Sequence, residues 1–136
     1  MTLLLIGEAP GRGDGPALGP GGSTGRRLTE LFGRDDYLSV VRAVNLFDPR
    51  PERWSRRDAR RRAVWLLMNR EEERFVLFGR QVARAFNADE VPLFTWARAF
   101  KPLAVLPHPS GRCQAWNDPE TVAKARTFLA DAIERW

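Results

Sequence analysis

"LLLIGEAPGRGDG", Leu3 to Gly15, governs how the rest of the chain is read. The uninterrupted apolar run Leu3-Leu4-Leu5-Ile6 predicts a strand over Thr2 to Ile6, buried on both faces as in a parallel sheet. From Gly7 to Gly15, nine residues then hold four glycines, Pro10, Arg12 and two carboxylates, Glu8 and Asp14. Glycines let a backbone come close to a ligand, and the acids bring charge to the same place.

Working outward, Ser23 or Thr24 is expected to cap a helix through Phe32 that Gly33 ends. "YLSVVRAVNLF", Tyr37 to Phe47, is rich in β-branched and aromatic residues and reads as a second strand. "DPRPERW" is a proline-rich loop. Ser55 with Asp58 three residues on forms a capping box, opening a helix through Asn69. "RFVLFG", Arg74 to Gly79, is a third strand, and "RQVARAF" a helix packing back on it. "LAVLP", Leu103 to Pro107, is a fourth strand. Asn117 or Asp118 caps the last helix, with Pro119 in its first turn and Glu120 near its positive end.

Strands alternating with helices predict a single α/β domain over all 136 residues. It is expected to be a three-layer α/β/α sandwich on a central, mainly parallel four-stranded sheet. Ligands of such sheets bind beyond the carboxyl ends of the strands. Three suggestive segments meet there: the opening loop, "NLFDPRP" after strand two and "HPSGRCQAWND" after strand four.

At 43% hydrophobic the chain can bury a core, and no apolar run approaches the ~18 residues of a membrane span. With no evident secretion signal, a soluble, cytoplasmic monomer is expected. Cys113 is the only cysteine, which rules out an internal disulfide or a cluster held by several thiolates. A net charge of +5, nearly all from arginine, points to a polyanion such as DNA. An arginine-rich, GC-rich genome accounts for the same charge without a partner.

"GEAPG" after a first strand, an asparagine ending the second and "HPSG" after the last together resemble the uracil-DNA glycosylase superfamily. The first motif is most similar to its family 4 members. "FVLFGRQVARAF" also resembles that family's strand-glycine-helix before the final strand. The resemblance implies a monofunctional DNA glycosylase that flips out uracil or a modified pyrimidine and leaves an abasic site, with no metal or organic cofactor. The chain departs from family 4 in two places. It lacks the four cysteines of that family's iron–sulfur cluster. "GPGGSTG", Gly19 to Gly25, stands where those proteins carry a proline-phenylalanine pair whose ring stacks on the base.

Breaking an N-glycosidic bond builds positive charge on the sugar and negative charge on the base. A carboxylate or amide near the anomeric carbon places water, and a donor meets the base oxygen. Glu8 and Asp14 are the candidates for the first task, since Ala9 stands where related families place Asp or Asn. Their bland readings are an acid capping backbone amides and a solvated turn residue. His108, stiffened between Pro107 and Pro109, is implied by the resemblance to donate to the leaving base. Asn45 suits the edge of a flipped base, or simply closes a turn. Ala9, Pro10, Pro20 and Phe47 complete the expected base-binding set.

For DNA contact the resemblance implies Ser110 at a flanking phosphate. It also implies a wedge loop after "HPSG", in which Arg112 or Gln114 fills the vacated space and Trp116 stacks or packs. Gly11, Arg12, Ser23, Thr24 and Gly111 offer backbone amides, hydroxyls or charge to phosphates. Arg56, Arg57, Arg60, Arg61 and Arg62 fall largely on one side of a helix, as a phosphate-binding or merely solvated face. Two other readings stay open: a non-catalytic nucleic-acid-binding protein of this fold, and a small-nucleotide hydrolase using "PGGSTG" as a phosphate loop. Within the glycosylase reading the missing ring suits an enlarged pyrimidine, a glycosylated one for example, unless Phe47, Trp54 or Trp116 swings in to replace it.

Overall fold

A computed structural model describes residues 2–10, 17–110 and 112–134. Strands β1 (Leu3–Gly7), β2 (Arg42–Asn45), β3 (Arg74–Phe78) and β4 (Leu103–Leu106) lie in the order β2-β1-β3-β4, every pair parallel. The expected three-layer α/β sandwich is the architecture found. Helices α1 (Gly22–Phe32) and α4 (Pro119–Glu134) cover one face; α2 (Arg56–Asn69) and α3 (Arg80–Ala85) cover the other.

The strands divide their side chains by parity. Leu4, Ile6, Phe75, Leu77, Leu103 and Val105 pack toward Ala59, Ala63 and Leu66 of α2 and Val82 of α3. Leu3, Leu5, Val76, Phe78 and Leu106 pack toward Leu28 and Leu31 of α1 and Leu129 of α4. Successive residues of a strand point to opposite faces, so an unbroken apolar run feeds both cores. Each such side chain fully buried contributes ~1.5–3 kcal/mol. The outer edge of β4 is covered by the segment before it, where Ala97 and Leu103 exchange backbone hydrogen bonds of 2.8 and 3.1 Å.

The second strand is shorter than its composition suggests. Tyr37–Ser39 forms a 3-10 turn in which the Asp36 carbonyl accepts from the Ser39 N–H (2.9 Å) and hydroxyl (2.7 Å). Val40 and Val41 N–H donate to the Tyr37 carbonyl, so the groups a ladder would use are already paired locally. Tyr37 itself is fully buried, stacked on Phe32 at 5.3 Å, and its hydroxyl donates to the Leu18 carbonyl at 2.5 Å. Core packing, not strand pairing, explains that aromatic and β-branched run.

Two other local expectations change. Gly21, not Ser23 or Thr24, caps α1, and it does so with no side-chain hydrogen bond. Ser23 and Thr24 stand within the first turn. The arginine block of α2 is split: Arg60 donates to the Ala85 carbonyl (3.0 Å) and Arg62 to the Leu46 carbonyl (2.9 Å). Of this block only Arg56, Arg57 and Arg61 are exposed; Arg60 and Arg62 are half-buried. By contrast, Ser55 accepts from the Asp58 N–H at 3.2 Å, Gly33 ends α1 with φ 71°, and Asp118 accepts from the Glu120 N–H at 2.9 Å, all as expected.

Tyr37→Phe tests the tie between the second connection and the opening loop. It strands the Leu18 carbonyl while keeping the ring, so stability should fall by about 1–2 kcal/mol in urea unfolding with an unchanged m value.

Candidate functional site

Adjacent parallel strands β1 and β3 send their following helices to opposite faces of the sheet, α1 to one and α3 to the other. Their carboxyl ends therefore open into a crevice, the usual place for a ligand in this architecture. Glu8 directly follows β1, Gly79 directly follows β3, and His108 lies two residues beyond β4.

Gly79 is the pivot. Its φ of 93° is one that side-chain-bearing residues rarely adopt. A Cβ there would lie 3.3 Å from His108 Cβ, 3.4 Å from His108 Cδ2 and 3.5 Å from Glu8 Oε1. The missing side chain brings a carboxylate from one flanking strand and an imidazole from the other to the same small space.

His108 is fixed on two sides. The Ser110 N–H donates to its Nδ1 at 3.2 Å, and the Trp116 indole N–H donates to its carbonyl at 2.7 Å. Burial pushes the imidazole pKa below its ordinary value; the Glu8 charge opposes that shift and the Arg50 charge adds to it. The ring is thus favoured neutral, and with Nδ1 accepting, Nε2 carries the proton. Glu8 is half-buried, and its carboxylate accepts no hydrogen bond among the described residues, so no amide there is capped by it.

Backbone ties hold the loops around this pair. Leu46 and Phe47 N–H donate to the Gly7 and Glu8 carbonyls at 2.8 and 2.9 Å, extending the β2–β1 ladder past both strands. Arg50 Nε donates to the Pro10 carbonyl at 2.9 Å. Beside Glu8, Gly79 and His108 opens a cavity of about 660 Å³ that runs along α3 to the segment 89–93 and also takes in Cys113 and Ala115.

Of the residues expected from sequence, Glu8 and His108 share that cavity; Asn45, Phe47, Pro20, Ser110, Arg112 and Gln114 do not line it. Asn45 lies across β1, its Oδ1 only 2.9 Å from where a Gly7 Cβ would stand. Phe47 packs edge-on against Trp54 at 5.1 Å. Ala9 and Pro10 are half-buried after Glu8, and Pro20 and Ser23 are exposed at the start of α1 with Thr24 half-buried. Arg112 and Gln114 are exposed, whereas Trp116 is buried under the Arg27 guanidinium (5.5 Å) and packs, one of the two roles expected of it. Gly11, Arg12, Asp14 and Gly111 lie outside the described residues.

Sequence reasoning passed over Arg50, Arg80, Gln81 and Asp89. For Arg80 and Gln81 a signal existed: "GRQ" follows the third strand, so it too sits at a carboxyl end.

The fold and site together define an α/β protein with a carboxylate and a neutral histidine at the switch point of a parallel sheet. No protein-family model matches the chain, and no curated protein matches it. Among the described residues, no helix is long and apolar enough to cross a membrane, and no three His, Cys, Asp or Glu side chains gather to hold a metal ion.

Two measurements check the site. Because folding lowers the His108 pKa, the unfolded chain binds more protons just below its ordinary value of about 6.5, and stability should fall as pH drops through that range. Urea unfolding at about pH 5 and about pH 7.5 should give a larger difference for wild type than for His108→Gln. Gly79→Ala combines an unfavourable φ with contact on His108, so it should fold with stability lowered by about 1–2 kcal/mol.

Proposed function

We propose that this protein is a DNA glycosylase, a monofunctional N-glycosyl hydrolase that flips a uracil or modified pyrimidine from DNA and leaves an abasic site. The observation that carries this reading is the convergence of Glu8 and His108 across Gly79. A carboxylate that accepts no hydrogen bond among the described residues, beside a neutral imidazole bearing Nε2–H, is the pair that N-glycoside hydrolysis needs. Glu8 orients water beneath the anomeric carbon and offsets positive charge developing on the sugar. His108 donates to the base oxygen as the bond to the sugar breaks and its electron pair moves to the base. The water oxygen bonds the anomeric carbon, and its proton ends on the released base. Histidine stays neutral throughout, acting as a hydrogen-bond donor and not as a general acid.

Asn45, Phe47 and the Ala9-Pro10 turn would contact the base, and Ser110 a flanking phosphate. The net charge of +5 suits a polyanionic substrate. An enlarged pyrimidine is favoured over plain uracil by the roughly 660 Å³ cavity that opens beside Glu8 and His108. Trp116, one of the rings that could replace a stacking partner, is buried and donates to the His108 carbonyl.

Duplex DNA carrying uracil or a modified pyrimidine, scored for alkali-labile strand breaks, tests the assignment. His108→Ala should lower turnover by ~10²-fold or more, and Glu8→Gln should be more damaging than Asp14→Asn. Activity should persist below pH ~6.5, because the histidine remains neutral there. DNA affinity should fall steeply with added salt as phosphate contacts release counterions. Wild-type rates in a folded His108→Ala protein would overturn the mechanism. Hydrolysis of free nucleotides with no effect on DNA would identify a small-nucleotide hydrolase.

A further inference from the structure

The cavity beside Glu8 and His108 is larger than a base requires. Its 660 Å³ is the volume that about twenty waters occupy in the liquid, well beyond a single pyrimidine ring. Away from the two central residues it is bordered by Arg80 and Gln81, which begin α3, by Asp89, and by the apolar run Val91-Pro92-Leu93. Arg80, Gln81 and Asp89 are exposed, and none makes a hydrogen bond or ion pair among the described residues.

The chemistry of this border is specific in what it disfavours. One cation and one anion cancel, so a phosphate would meet Asp89 and a free amine would meet Arg80. A guanidinium, an amide and a carboxylate together offer donors and acceptors to a neutral group that is itself both, which is the property of hydroxyls. The apolar run supplies a surface for the C–H faces between them. Pre-formed pockets of this size, mostly apolar with a few convergent polar groups, commonly orient a ligand that way.

On the reading of the site as a glycosylase centre, we propose that this cavity receives a neutral, polyhydroxylated substituent carried by the target pyrimidine, with Arg80, Gln81 and Asp89 recognising its hydroxyls. A hexose joined to the ring through an oxymethyl group has that chemistry. Such a base can arise only from a reaction that transfers a sugar to a hydroxymethylated pyrimidine, which places this enzyme downstream of a glycosyl transfer. Arg80, Gln81 and Asp89 act here as specificity residues, and Glu8 and His108 remain the groups at the reacting bond.

Three duplexes identical except at one base test the proposal: uracil, 5-hydroxymethyluracil and 5-(glucosyloxymethyl)uracil. Abasic-site formation gives kcat/KM for each. The glucosylated base should be released at least ~10-fold more efficiently than the hydroxymethyl base. Arg80→Ala, Asp89→Asn and Gln81→Ala should each lower the ratio of glucosylated to uracil release by ~10-fold, the scale of losing one substrate hydrogen bond. All three positions are exposed, and circular dichroism confirms that each variant is folded. Release of uracil that depends on His108, with the glucosylated base handled no better, overturns the subsite and leaves the glycosylase reading standing. So does an equal loss on all three duplexes in the variants. Release from none of them overturns both.

Discussion

Two neighbouring parallel strands whose chains leave toward opposite faces of the sheet set the conditions for everything functional in this molecule. The connection from β1 must cross to α1, and the connection from β3 must cross to α3. The two connections therefore diverge at the carboxyl edge, where Glu8 and Gly79 stand. Burial elsewhere makes that edge rigid. The β1 and β3 side chains are almost wholly withdrawn from water on both faces. Shifting either strand by one residue would exchange its two cores, so the register that aligns Glu8 with Gly79 is held by the same packing that holds the fold.

Within that frame, the site is assembled by removing atoms as much as by supplying them. Gly7 leaves space that Asn45 occupies, and Gly79 leaves space that Glu8 and His108 share. Three polar groups from three strands reach the edge because two intervening positions have no side chain. Arg50 and the Leu46 and Phe47 amides then tie the first loop to the second by main-chain carbonyls, which fixes position without consuming the functional side chains.

The alternation of strands and helices was legible because β1, β3 and β4 are short apolar runs ended by glycine or proline, and because Ser55, Gly33 and Asp118 carry local signals. Those signals act within four residues of themselves. Tyr37 defeated the same approach: its partners, Phe32 and Leu18, belong to the preceding helix and a distant loop, so its β-propensity described a core contact. Arg60 and Arg62 were equally opaque, since their carbonyl partners at Ala85 and Leu46 lie far along the chain. In the site, Glu8 and His108 stood out by motif. Arg50 and Asp89 did not, because what distinguishes them is proximity across the fold and no pattern in the sequence, whereas Arg80 and Gln81 carried only the weak signal of following a strand end.

The hydrogen bond from the Ser110 amide to His108 Nδ1 has an evolutionary corollary. A tautomer set by a side chain can be lost by almost any substitution of that side chain. Here the proton's location is written into the main chain two residues downstream, and nineteen of the twenty amino acids carry the necessary N–H. Position 110 is free to explore hydroxyls, amides or charges in response to whatever lies opposite it, while the imidazole keeps its donor at Nε2. Proline alone is barred, and a second proline is what the preceding residue, Pro109, already provides one step too early to do harm.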